Sequence, residues 1–175
     1  MRADLRPGIA VAAGLAWLFV ARLCTDLLAP HALTPLWIVP PVVVFSLLLP
    51  RRAALICLAI VCLMHDATLA IPYGLSATLA LPVAAMLHRI RRHVNTHSRR
   101  QIAALAFAIT PTLHLAFVLA ITLAGWPLPA DLHGLMLEMA IGTVASALAS
   151  PWLADFTSAL LRLVGVVADD SECSA

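Results

Sequence analysis

Residues 35–74 have the sequence PLWIVPPVVVFSLLLPRRAALICLAIVCLMHDATLAIPYG. Between Leu36 and Met64 the only charged residues are Arg51 and Arg52, and Asp66 then follows near the expected outer end of a membrane span. A carboxylate at the middle of a bilayer costs about 2.5–3.5 kcal/mol on the insertion scale, and less near the interface. We therefore expect Asp66 to have a partner inside the protein or to lie at the interface.

The composition of the whole chain is that of a membrane protein. Of its 175 residues, 62% are hydrophobic and 11% are charged, whereas soluble domains are about 45–50% apolar and about 25% charged. No soluble core could enclose so much apolar surface, so lipid is the expected surrounding. The formal net charge of +2 is too small to indicate a nucleic-acid-binding protein.

The apolar runs predict an all-α fold, a polytopic membrane helix bundle that forms one transmembrane domain over residues 1–175. Pro40-Pro41 predicts a kink in the second predicted span. The sixth predicted span is expected to follow an interfacial segment at residues 131–138 and to bend near Pro151. The first span is expected to remain uncleaved, because Ala21-Arg22-Leu23-Cys24 lacks a small-x-small cleavage site. A cytoplasmic basic loop is predicted at residues 88–101 and a loose tail at residues 168–175. The six predicted transmembrane helices cover residues 8–28, 35–49, 53–70, 71–90, 102–124 and 139–163.

The arginines predict the orientation of the bundle. With six spans, ten of the eleven basic residues fall on the side of both termini, and only Arg22 falls on the other side. This asymmetry predicts that both termini are cytoplasmic. We also expect Arg22 to pair with Asp26 four residues later, and Asp155 to pair with an arginine of the inner side.

Asp66, together with His65, is the leading site candidate, and three interpretations remain open. Asp66 could be an interfacial carboxylate bonded to turn amides near Tyr73 and Gly74. It could serve helix packing or contact with a partner. It could also couple a proton or an ion, although a coupled carrier usually has more buried charge near the midplane.

The remaining polar residues give weaker signals. His114 lies in the fifth span and is expected to make an intramembrane hydrogen bond. Asp131, His133 and Glu138 gather at the outer end of the sixth helix, but one histidine with two spaced carboxylates is a poor metal pattern, so no metal is predicted. Cys57 and Cys62 are expected to be small buried side chains rather than a disulfide or a metal site.

No enzyme chemistry is predicted from the sequence. The chain has no Walker loop, dinucleotide fingerprint, nucleophile elbow or paired-histidine zinc motif. Neither a cofactor nor a catalytic residue is therefore predicted. The arginine-rich segment is expected to anchor the topology and meet anionic lipid head groups, with docking of a cytoplasmic protein as a second possibility.

The spacing of several motifs makes residues 34–163 resemble the MreD family of rod-shape-determining membrane proteins. These motifs are Pro35-x-Trp37, then Leu49-Pro50-Arg51-Arg52 after an apolar span, then Asp66, and Gly74 eight residues later. Cys62 and Ala70 stand where the family often has glycine. The resemblance assigns family-motif, packing or partner-contact roles to Pro35, Pro50, Arg51, Asp66, Gly74 and Pro151, and it places the cytoplasmic basic loop at Arg89, Arg91, Arg92, Arg99 and Arg100.

The resemblance implies a non-enzymatic subunit of the bacterial cell-elongation complex in the inner membrane. Its expected partner is MreC, in a complex with MreB, RodA, a class B penicillin-binding protein and RodZ, so that MreB filaments are coupled to peptidoglycan synthesis. It also implies a fold similar to the substrate-binding S component of energy-coupling-factor transporters. The alternative is therefore a small-molecule-binding subunit of a vitamin-type transporter, whose ligand would meet Tyr73, Asp66, Trp126, Asp131 and His133.

Overall fold

A computed structural model describes residues 6–28, 37–68, 72–94, 98–125 and 132–163 of the chain. These residues form α-helices and one 3-10 turn, and no strand occurs among them, which confirms the all-α class. The 3-10 turn covers Arg91–His93. The helices are α1 (Arg6–Leu28), α2 (Val39–Leu48), α3 (Arg51–Ala67), α4 (Leu75–Ile90), α5 (Arg99–Leu123) and α6 (Leu132–Leu163).

Three of these helices are long and apolar enough to cross a bilayer, over Pro7–Asp26, Arg99–Leu123 and His133–Leu163. They correspond to the first, fifth and sixth predicted spans, and they mark the chain as a membrane-embedded protein. α3 and α4 contain 17 and 16 residues, so each is about 25 Å long. α2, with 10 residues, is shorter still.

α2 lies at the centre of the bundle and contacts all five other helices. Every residue from Val39 to Leu47 is buried. Pro40 and Pro41 lie in the first turn, where the backbone N–H groups have no intrahelical acceptor and proline is well tolerated. The two prolines therefore start the helix, and the prediction that they kink it was wrong.

The helices alternate in direction, and contacts at one end of the bundle fix their register. A guanidinium N–H of Arg91 donates to the backbone carbonyl of Leu49 at 2.8 Å, and Nδ1 of the His88 ring lies 3.4 Å from the backbone carbonyl of Ser46. Both pairs are 42 positions apart, so α2 and α4 run parallel. α1, α3 and α5 begin at this end of the bundle, and α2, α4 and α6 end here. Because most of the arginines lie at these helix ends, we call it the basic end of the bundle.

Tryptophan side chains join α1 and α2 at the opposite end. The indole N–H of Trp17 donates to the carbonyl of Trp37 at 2.8 Å, and the indole N–H of Trp37 donates to the Thr25 hydroxyl at 2.9 Å. Arg22 and Asp26 are 3.3 Å apart on the exposed face of α1. The predicted pairing of these two residues is therefore confirmed.

Gly14 allows α1 to approach the centre of the bundle closely. A Cβ atom on this residue would lie 2.6 Å from Val61 Cγ2 and 3.1 Å from the ring of Phe45. Real Cβ contacts are not that short, so a larger side chain would push α1 away from α2 and α3. The glycine thus permits a small-residue helix contact of the kind common in membrane bundles.

α6 is one continuous helix of 32 residues, about 48 Å long. Residues 132–138 belong to this helix, so no break separates them from the span predicted at residues 139–163. Pro151 lies inside the helix and is buried. The length of α6 exceeds the roughly 30 Å hydrocarbon core, so part of it must be tilted or lie outside that core.

Candidate functional site

Asp66 is buried in the last turn of α3, with 2% of its surface exposed. Its Oδ2 atom accepts hydrogen bonds from the backbone N–H groups of Gly74 at 2.8 Å and Ser76 at 3.2 Å, and Oδ1 lies 3.3 Å from the same Ser76 N–H. Gly74 is the N-cap residue of α4. We call Asp66, Gly74 and Ser76 the α3–α4 cap.

The cap satisfies backbone groups that a helix start leaves without partners. The first four N–H groups of an α-helix have no intrahelical acceptor, and the aligned peptide dipoles favour a negative charge there. Gly74 has no side chain to fill this role, and no local side chain caps α4. The carboxylate of Asp66 therefore does from α3 what an Asp or Ser normally does from the N-cap position. Of the interpretations left open for Asp66, bonding to the turn amides is the one that this geometry matches.

Gly74 has a φ of +91°. An L-residue with a side chain is strained in this left-handed region, whereas glycine is not. A Cβ atom on Gly74 would meet nothing within 4 Å, so the backbone conformation, and not lack of space, requires glycine. The spacing of eight between Asp66 and Gly74 thus has a physical basis: it places one carboxylate against the first amides of the next helix.

His65 lies beside the cap and contacts the side chain of Ser76. The Ser76 hydroxyl is 3.3 Å from His65 Nδ1, and Asp66 Oδ1 is 4.0 Å from the same nitrogen. In a Ser-His-Asp triad the serine and the carboxylate use opposite ring nitrogens, whereas here both lie at Nδ1. The cluster therefore lacks the geometry that activates a serine nucleophile, and Ser76 is a member of the site that the sequence did not indicate.

The other motif residues lie apart from the cap. Pro50 is the N-cap residue of α3 and Arg51 begins that helix, so both lie at its opposite end and are exposed. Pro151 is buried in α6, and Pro35 lies outside the described residues. Of the six residues predicted from the family motifs, the structure brings Asp66 and Gly74 into contact.

Two arginines of the predicted basic loop are bound to other helices. Arg91 donates to the last carbonyl of the α2 segment, at Leu49. Arg99 is 2.6 Å from a carboxylate oxygen of Asp155, which confirms that Asp155 pairs with an arginine. Arg89, Arg92 and Arg100 are exposed.

His114 is buried in α5, and its Nε2 atom has no hydrogen-bond partner in the part of the chain that the structure describes. The hydrogen bond expected for His114 is therefore not found at this nitrogen. Glu138 of α6 is close enough to interact electrostatically with the imidazole. The sequence did not predict this pair, because the pair depends on the register of α5 against α6.

Two members of the predicted group of Asp131, His133 and Glu138 lie in the first two turns of α6. Glu138 is buried and His133 is exposed, while Asp131 lies outside the described residues. No group of three or more metal-ligating side chains occurs within the described ranges. Cys57 and Cys62 are buried free thiols, as predicted.

Comparison of the chain with protein-family models, with curated proteins and with solved structures gave no match.

Proposed function

We propose that the chain is a member of the MreD family and acts as a non-enzymatic subunit of the cell-elongation complex in the bacterial inner membrane. The observation that carries this proposal is the α3–α4 cap. Asp66 and Gly74 are the two family-motif residues with the most distinctive spacing, and a 2.8 Å hydrogen bond joins them. This hydrogen bond gives the two residues a shared structural role, so the spacing between them has a physical reason.

We further propose that all six helices span the membrane and that both termini are cytoplasmic. Support comes from the contacts that bring Leu49 beside Arg91 and Arg99 beside Asp155, because they gather the arginine-bearing helix ends at one end of the bundle. Arg22, the one arginine assigned to the outer side, lies toward the other end of α1. The proposed likeness to the S component of energy-coupling-factor transporters rests on the family resemblance.

The proposed role is that of a scaffold whose outer surface binds MreC, and through it the other members of the complex. The long helices α1, α5 and α6 present large apolar side chains outward, among them Phe19, Leu119 and Leu148. Such surfaces are available to lipid or to a transmembrane segment of a partner. The polar atoms of the α3–α4 cap, in contrast, are engaged within the protein.

The vitamin-carrier alternative needs polar side chains that converge on a cavity at the outer end and are free to bind a ligand inside it. Both carboxylate oxygens of Asp66 contact backbone amides, Tyr73 is 68% exposed, and His133 is exposed. This arrangement favours the scaffold role over the carrier role.

Depletion of the protein in the parent bacterium tests the proposal. We expect rod-shaped cells to become round and wall synthesis to lose its elongated pattern, and re-expression should restore both. Affinity purification should recover MreC with the protein. Normal rods after depletion, or recovery of a vitamin and an associated ATPase in place of MreC, would contradict the proposal.

A matched pair of variants tests the part played by Asp66. We expect Asp66→Ala to reduce recovery of MreC more than Asp131→Ala does at equal expression, because Asp66 positions α4 against α3. Equal recovery of MreC with both variants would remove Asp66 from its proposed role in assembly.

A further inference from the structure

Five arginines from two separate segments lie at the basic end of the bundle. We define the arginine cluster as Arg51, Arg52, Arg89, Arg91 and Arg92. The two segments are joined directly, because Arg91 donates to the carbonyl of Leu49 at 2.8 Å. Leu49 is two residues before Arg51, so the start of α3 and the end of α4 are held side by side.

The cluster has no anion of its own in the described part of the chain. Arg51, Arg52, Arg89 and Arg92 are exposed. The one described carboxylate at the basic end is that of Asp155, which is bound to Arg99. Guanidinium groups held together without a counter-charge repel one another, so binding an anion at this position would be favourable.

The surface next to the cluster is apolar. Ile56, about one turn after Arg52 on α3, is 59% exposed. Met86, about one turn before Arg89 on α4, is 65% exposed. A ligand that matches both surfaces carries negative charge at one end and hydrocarbon at the other, which favours a lipid over a free phosphate or an acidic peptide.

We propose that the arginine cluster is a binding site for anionic phospholipids, with their phosphate groups held by the guanidinium groups. The planar guanidinium of arginine donates two parallel hydrogen bonds to phosphate oxygens. Basic pockets at the cytoplasmic ends of transmembrane helices bind such head groups in other membrane proteins. The lipid would neutralise the cluster and brace the α2–α3 turn against α4.

The test uses the full-length protein in uncharged detergent, titrated with phosphatidylglycerol or with phosphatidylcholine. Binding is measured as the rise in unfolding temperature with lipid concentration. We expect phosphatidylglycerol to stabilise the protein and phosphatidylcholine to have little effect. Each neutralised arginine should weaken phosphatidylglycerol binding about fivefold, so the double variant R51Q/R92Q should weaken it about 25-fold.

The matched control is R100Q/R162Q, which removes two exposed arginines from the same end of the bundle but outside the cluster. It should change the affinity less than about twofold, because its members do not contribute to the site. If R51Q/R92Q fails to fold, R52Q/R89Q removes the other two exposed members of the cluster and gives the same comparison.

Several outcomes would overturn the proposal. Equal losses from the cluster variant and the control would mean that net charge alone attracts the lipid. Inorganic phosphate that stabilises the protein as strongly as the lipid would assign the site to a free anion. Lipid binding that appears only after D169N/D170N/E172Q would mean that the chain's own acidic tail occupies the cluster. Loss of a cytoplasmic protein partner from R51Q/R92Q, with unchanged lipid affinity, would assign the cluster to that protein.

Discussion

Replacing Asp66 with alanine removes the acceptor for two backbone N–H groups at the start of α4. These are the N–H groups of Gly74 and Ser76, at 2.8 Å and 3.2 Å from Oδ2. Because Asp66 is 2% exposed, water cannot readily replace the carboxylate. The start of α4 then has unsatisfied amides and has lost the negative charge that its dipole favours.

The expected loss of stability follows from these two contributions. Loss of an N-cap acceptor costs about 0.5–2 kcal/mol, and a carboxylate at a partly buried helix start contributes up to about 2 kcal/mol more. We therefore expect Asp66→Ala to lower the free energy of unfolding by about 3 kcal/mol. Asp66→Asn keeps one oxygen acceptor but loses the charge, so its loss should be about half as large.

The measurement is reversible unfolding of the detergent-solubilised protein, followed by far-ultraviolet circular dichroism. Asp26→Ala is the control, because Asp26 forms an exposed pair with Arg22 at 3.3 Å, and exposed pairs contribute less than about 1 kcal/mol. The expected order of destabilisation is Asp66→Ala, then Asp66→Asn, then Asp26→Ala. An Asp66→Ala variant as stable as Asp26→Ala would refute the assignment of Asp66 as the cap of α4.

Three further predictions follow from the backbone and the topology. Gly74→Ala should destabilise the protein by about 1–2 kcal/mol, because alanine is strained at a φ of +91°, whereas Gly8→Ala in α1, which is equally unobstructed, should be neutral or stabilising; similar unfolding midpoints would contradict this. Gly14→Ala should cost about 1–3 kcal/mol by the same measurement, because its Cβ would overlap side chains of α2 and α3, and a wild-type midpoint would show that α1 packs elsewhere. Reporter fusions after Arg92 and after Val164 should both give a cytoplasmic signal, and a periplasmic signal from either would contradict the six-span topology.

The sequence predicts α1 and α5 well, whereas α6 begins seven residues before its predicted span at residues 139–163. The spans predicted at residues 8–28 and 102–124 differ by three residues or fewer from the ends of α1 (Arg6–Leu28) and α5 (Arg99–Leu123). Long apolar runs with arginines at one end leave little freedom in where each of these helices begins and ends. α2 is shorter than its predicted span at residues 35–49, because proline at two successive positions fits the first turn of a helix better than its interior.

The position of each helix in the bundle could not be predicted in the same way. In water, a helix that is apolar on every side belongs in the core, but in lipid the outer helices are apolar too. The sequence of α2 therefore does not distinguish the centre of the bundle from its surface. The close approach at Gly14 also depends on the side chains of Val61 and Phe45, which come from two other helices.

The candidate site could be predicted only in part from the sequence. The cost of burying a charge singled out Asp66, and turn amides were one of its expected partners. Which amides donate to its carboxylate depends on how α4 begins, and that depends on the left-handed backbone of Gly74. The electrostatic interaction of His114 with Glu138 likewise depends on the register of α5 against α6, which local sequence does not encode.

Because α2 is enclosed, the helices of this protein have two different environments, one of protein atoms alone and one that includes the surrounding amphiphile. Val39 to Leu47 meet only protein atoms, so extraction from the bilayer alters nothing that this helix touches. The outward side chains of α1, α5 and α6 meet whatever amphiphile surrounds the protein. A harsh detergent should therefore loosen the molecule from the periphery inward, and the amides of α2 should be among the last to exchange their hydrogens with heavy water.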